Sequence, residues 1–242
     1  MMRLVKFVSA GAFALTMVLG LATAQATAIT FTASGTGSDG ALSASAAFTT
    51  TAGQVDVTLT NLLGADVIRS AGQALSDITF TLSNTAGTLG TTSASGQLGN
   101  LSDTGGLVTY TSVPADPTRW LGAGGQGNFS VVGANVTLEA LGGGQPSQMI
   151  IPFQTNGGVY SNVNNGFDNF NPYTIGPATF SLHLSGVTAA TTITSATFSF
   201  GTGPDTSLPG TPGGVVPEPG SVFLLGSGLA ALGLFRRRRR SA

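Results

Sequence analysis

From Ile29 onward the chain alternates apolar and hydroxyl side chains with a period of two, a rhythm that only strands can use. Ile29, Phe31 and Ala33 alternate with Thr30, Thr32 and Ser34, and Val55, Val57 and Leu59 with Asp56, Thr58 and Thr60. Ile78, Phe80 and Leu82 interleave with Thr79, Thr81 and Ser83, and Phe180, Leu182 and Leu184 with Ser181, His183 and Ser185. Ile193–Phe200 closes the set. Successive side chains of a strand point to opposite faces, so each run has one face to bury and one to wet. Weaker runs occupy 42–50, 107–112, 129–132, 136–141 and 148–153, and no window joins helix length to a 3.6-residue period. Asp39-Gly40, Gly105-Gly106, 142–144 and 156–158 supply turn chemistry. About nine or ten short strands predict an all-β body, an antiparallel β-sandwich or jelly-roll-like fold. A β-solenoid would need a fixed-period repeat, and the sequence has none.

Charge divides this chain of 242 residues sharply. Seven of its nine basic residues are Arg3, Lys6 and Arg236 to Arg240, so between 29 and 216 the only cations are Arg69 and Arg119. Nine acids share that span, giving it a formal charge of −7. Phosphate neutralisation needs clustered Lys and Arg, which excludes nucleic acid as a partner. There is no cysteine. Thiolate nucleophiles, Cys-rich zinc sites and Cys-ligated iron–sulfur clusters are excluded, and the body must cohere through burial and ladder hydrogen bonds alone.

The two ends read as processing segments. Arg3 and Lys6 precede an uncharged apolar run over 7–22, and small residues recur at Ala22, Ala24, Ala26 and Ala28. This is the pattern of a Sec signal peptide over 1–28, cut by signal peptidase after Ala24, Ala26 or Ala28. Cleavage after Ala28 is favoured because the strand rhythm starts at Ile29. At the other end Pro217, Glu218, Pro219 and Gly220 precede an uncharged segment over 221–235, followed by Arg236, Arg237, Arg238, Arg239 and Arg240. As one short transmembrane helix the segment would span about 22 Å, against roughly 30 Å of bilayer hydrocarbon, so it is marginal as a permanent anchor. The arginines form a membrane stop that keeps the C-terminus cytoplasmic. Gly226 and Ala230 form a small-xxx-small pair suited to close helix approach.

Motif, short apolar segment and basic cluster in this order resemble the PEP-CTERM sorting signal, the proposed substrate of exosortases in Gram-negative bacteria. The resemblance implies transient anchoring in the inner membrane with the body in the periplasm. Removal of the anchor near Pro217–Gly220 would then deliver the body to the cell surface or to an extracellular, biofilm-type polysaccharide matrix. An ordinary tail anchor is the competing reading. The body after the signal peptide, on its residues 186–203, also resembles a recurrent domain of PEP-CTERM proteins that has no established activity.

The expected organisation is therefore signal peptide 1–28, β-rich extracellular domain 29–200, flexible Pro/Gly-rich tether 201–216 and sorting signal 217–242. The lone His183 sits on a wet strand face without an evident partner, and no G-x-S-x-G elbow is present. The acids mostly occupy turns or wet faces, so a glycosidase pair is not indicated. Asp168 with Asn164, Asn165, Asn169 and Asn171 offers one carboxylate, too few for a typical calcium site. No catalytic residue, metal or cofactor is expected. Trp120, beside Arg119, and the loop aromatics Tyr160, Phe167, Phe170 and Tyr173 are candidates for stacking on sugar rings, although such side chains more often pin a loop to the core. The sequence favours a non-enzymatic structural or adhesive surface protein, with a carbohydrate-binding module as the alternative and a glycan hydrolase as a weaker one.

Overall fold

The alternating runs become strands in the computed structural model, which describes residues 27–104, 107–154, 159–164, 166–203 and 206–213. The bulk of the signal peptide, the Pro-Glu-Pro motif, the 221–235 segment and the arginine cluster lie outside these residues. A meander opens the body: β1 (Thr27–Gly37), β2 (Gly40–Thr51) and β3 (Gln54–Asn61). Gly40 and Gly53, at φ 121° and 78°, make its two tight returns. Next come β4 (Leu75–Leu82), β5 (Leu89–Thr104), β6 (Leu107–Val113), β7 (Asn128–Val132), β8 (Asn135–Glu139), β9 (Ile150–Ile151) and β10 (Val159–Tyr160). The long β11 (Tyr173–Leu184), β12 (Ile193–Phe200), β13 (Thr206–Pro209) and β14 (Thr211–Pro212) complete the body. The all-β expectation holds, and the described residues contain short 3-10 turns but no α-helix. β1 begins two residues before Ile29, with Thr27 opposite Thr50 and Ala28 opposite Thr49. Cleavage after Ala28 would remove both of those pairs.

One block of strands runs β1-β2-β3-β11-β5-β6-β10 and a second runs β13-β12-β4-β8-β7. They belong to one hydrogen-bonded sheet because β9 lies parallel to β11 at Ile151↔Ile175 and antiparallel to β4 at Leu75↔Ile150. The blocks face each other. Phe48 of β2 and Phe80 of β4 are well separated in the strand order, yet their ring centroids stand 4.9 Å apart. Both rings are fully buried, as are Val55, Val57, Leu59, Ile78, Phe180, Leu182 and Phe198. These are the apolar members of the period-two runs, so the alternation fixes which face each strand turns inward. The wet faces are laced by hydroxyls: Thr58 meets Thr179 at 2.9 Å and Thr79 meets Thr137 at 2.9 Å across neighbouring strands.

The flexible tether expected over 201–216 is replaced, from Thr206 to Gly213, by ordered sheet. β13 pairs antiparallel with β12, and after the single residue Gly210 the chain pairs antiparallel with β1 as β14. The backbone N–H of Gly210 donates to Ala196 O at 2.8 Å and that of Gly213 to Thr30 O at 2.6 Å. This strap therefore closes the edges of both blocks. Its Gly and Pro content concealed a strand for a physical reason. Proline is tolerated on edge strands, and glycines here permit close approach: a Cβ on Gly35 would meet Leu208 at 2.9 Å, and one on Gly210 would meet the Phe198 ring at 2.9 Å.

Phe80→Ala is expected to lower stability by about 3–5 kcal/mol through the cavity it leaves between the blocks. Thr79→Ala, on the wet face, should cost no more than about 1 kcal/mol. Urea unfolding of the soluble body measures both.

Candidate functional site

The loop proposed for sugar contact is built inward. Tyr160, Phe167 and Tyr173 are buried, with Phe167 and Tyr173 stacked at 4.9 Å and an interplanar angle of 18°. The Tyr160 hydroxyl donates to Pro152 O at 2.9 Å and the Tyr173 hydroxyl to Phe167 O at 2.8 Å. Burial pushes both phenols above their ordinary pKa. Trp120 is fully buried, its indole N–H donating to Gln148 O at 2.8 Å and its ring 5.6 Å from Phe180. These four side chains cannot present a face to a sugar. They pin the described part of the loop, 159–164 and 166–173, and the 118–121 turn, because an aromatic with a satisfied polar tip gains more from burial than from exposure. Phe170 alone of the five remains partly accessible.

Arg119 works on the same wall. Its side chain is buried, and its guanidinium donates to Ala140 O, to Gly142 O at 2.6 Å and to Gln126 Oε1 at 2.6 Å. Burial lowers its pKa from the usual guanidinium value. Gln148, at φ 60°, joins this wall to β11: its carbonyl also accepts from Thr174 Oγ1 at 2.8 Å, and its Oε1 accepts from Arg119 N at 2.9 Å. Neither residue carried a sequence signal, since a lone Arg or Gln in a Gly-rich stretch has no periodic marker.

Beside Phe170 a cavity of about 270 Å³ opens at the end of the body where β12 gives way to the strap. Phe167, Phe170 and Phe200 form its apolar wall, and Asp39, Asn164 and Thr206 are among its polar residues. Asp39 is held at the rim by Ser70, whose Oγ donates to Asp39 Oδ2 at 2.6 Å and accepts from Gly72 N at 3.0 Å. An apolar wall opposite oxygen donors and acceptors suits a small polar ligand with apolar faces, near the lower end of the roughly 300–1,000 Å³ range of ligand pockets. Asn171, by contrast, spends its amide on the backbone of Leu101, accepting from N and donating to O at 2.7 Å each. It is not free to serve as a calcium ligand beside Asp168. Among the described residues no group of three or more His, Asp or Glu is placed to hold a metal. His183 is exposed on β11 opposite Gln54.

Two of the acids face each other across neighbouring strands. Asp77 of β4 lies directly opposite Glu139 of β8 and, on its other side, accepts from Ser199 Oγ at 3.1 Å. Ser199 in turn contacts Ser207 of the strap at 3.0 Å. Burial pushes Asp77 from 3.8 up to about 7, the Ser199 hydrogen bond opposes the rise, and the neighbouring Glu139 charge adds to it. The pair lines no part of the cavity beside Phe170. Its consequence falls on stability. The folded state holds a proton that the unfolded chain releases near pH 3.8, so stability falls as pH rises from about 4 and levels off above about 7. Asp77→Asn should remove this slope and stabilise the body by roughly 1–3 kcal/mol at pH 8, leaving it unchanged or weaker at pH 4. Urea midpoints across pH 4–8 measure the effect.

These features define an all-β body whose last described strand leads directly toward a C-terminal address. The chain carries a PEP-CTERM protein-sorting motif, matched over residues 215–240 and beginning two residues beyond Gly213. The motif implies an exported protein that exosortase processes, with a surface or extracellular destination. Its match does not extend into the body or to residues 186–203. Comparison with curated proteins and with solved structures found no match. Among the described residues no helix is long and apolar enough to cross a membrane, and the 221–235 segment lies outside them.

Proposed function

We propose that this protein is a non-enzymatic structural or adhesive component of the cell surface or of a polysaccharide-rich extracellular matrix. The observation that carries the reading is a sorting motif starting three residues beyond an ordered strand of a lysine-free, cysteine-free, acidic body. The two facing blocks support a sandwich or jelly-roll-like architecture. In this reading the 1–28 segment directs Sec export, residues 221–235 anchor the chain transiently, and Arg236–Arg240 remain on the cytoplasmic side. Negative charge keeps the released body soluble until it meets the matrix.

A second reading is favoured by the cavity beside Phe170. Its partly accessible ring, with Asp39 and Asn164 on the rim, supports a carbohydrate-binding role through Phe170 in place of the five candidate aromatics together. The two readings share one experiment. Released protein from culture is pelleted with the extracellular polysaccharide of its own source. Co-sedimentation without glycan breakdown supports the structural role, and a fivefold or so loss of binding in Phe170→Ala assigns it to the cavity. Protein that stays in the supernatant, or that hydrolyses the glycan, contradicts the proposal.

A further inference from the structure

We propose that the strap, residues 206–213, is a positioning element for exosortase processing: docked on β12 and β1 it withholds the Pro-Glu-Pro motif, and undocked it delivers the motif to the enzyme. The inference rests on the reading that exosortase cuts this chain. Gly213 is fastened to Thr30 by its backbone N–H. Only Gly214, Val215 and Val216 separate Gly213 from Pro217, and four residue steps reach at most about 14 Å. A body of this size has a radius of gyration of about 16 Å. While the strap is docked, folded bulk therefore stands within one body radius of the peptide that a membrane enzyme must hold extended. Release of the strap from Thr206 gives eleven steps to Pro217, or about 36–40 Å.

The strap is built to leave. Ser207, Pro209, Thr211 and Pro212 are exposed, and the two prolines contribute no N–H to the ladder. Leu208 is its only large apolar side chain, partly buried against the notch left by Gly35. Ser207 adds a side-chain contact with Ser199 to the backbone pairing with β12 and β1. The Phe48–Phe80 contact that joins the facing blocks involves no residue of the strap.

The test uses the full chain in exosortase-containing cells and follows release by pulse-chase and intact mass. An insertion of eight Gly/Ser residues between Gly213 and Gly214 leaves the strap docked but lengthens the reach. Leu208→Asp undocks the strap without lengthening anything. Both are expected to accelerate release at least threefold, with Leu208→Met near the wild-type rate and the urea midpoint of the insertion variant unchanged. Because the insertion leaves the folded body intact, its readout stands even if Leu208→Asp misfolds. Exosortase-dependent release at the wild-type rate, or slower, in the insertion variant overturns the positioning role alone. Retention of Arg236–Arg240 in the wild type and in every variant overturns the processing reading with it.

Discussion

The contact of Phe48 with Phe80 is where two strand blocks become one body. Without a cysteine to staple them, the blocks are held by the apolar members of the alternating runs meeting across a single interior. Everything outside that interior is arranged by it. The wet faces are left for Thr and Ser ladders and for Asp56 of β3, the edges for the strap and the loops, and most other charges for turns and strand ends. Asp77 departs from this pattern: it is a carboxyl drawn partly into the sheet, balanced between a serine that favours its charge and a glutamate that opposes it.

Around the core, polar side chains do work that periodic structure cannot. Arg119 and Gln148 gather irregular backbone at 140–148 and join it to β11, while Asn171 pairs with Leu101 as a strand residue would. Tyr160, Phe167 and Tyr173 fold their loop back over the body instead of offering it to solvent. The cavity beside Phe170 exists because this loop and the strap converge on the same end of the molecule.

The alternating runs were legible because burial acts on every second residue, and five of them became β1, β3, β4, β11 and β12. The C-terminal motif was legible because its three parts stand in a fixed order in the sequence itself. The aromatic loop was legible only as a choice, since aromatic residues between asparagines and glycines look alike whether they face a ligand or the core; burial of Tyr160, Phe167 and Tyr173 agrees with the commoner core-pinning reading. The strap was hidden for the opposite reason: Gly210, Pro209 and Pro212 signal flexibility in isolation, and only the edges of β12 and β1 make them a strand. The cavity joins residues from 38 to 206, a juxtaposition that no local pattern encodes.

In the proposed function the folded body is carried to the membrane by a temporary C-terminal anchor and then parted from it. Intact mass of the protein from cell-bound and released fractions, with and without exosortase, tests this most directly. Released protein ending near Pro217–Gly220 and lost when exosortase is absent is the expected result. Protein confined to the membrane fraction and still carrying Arg236–Arg240 would contradict it.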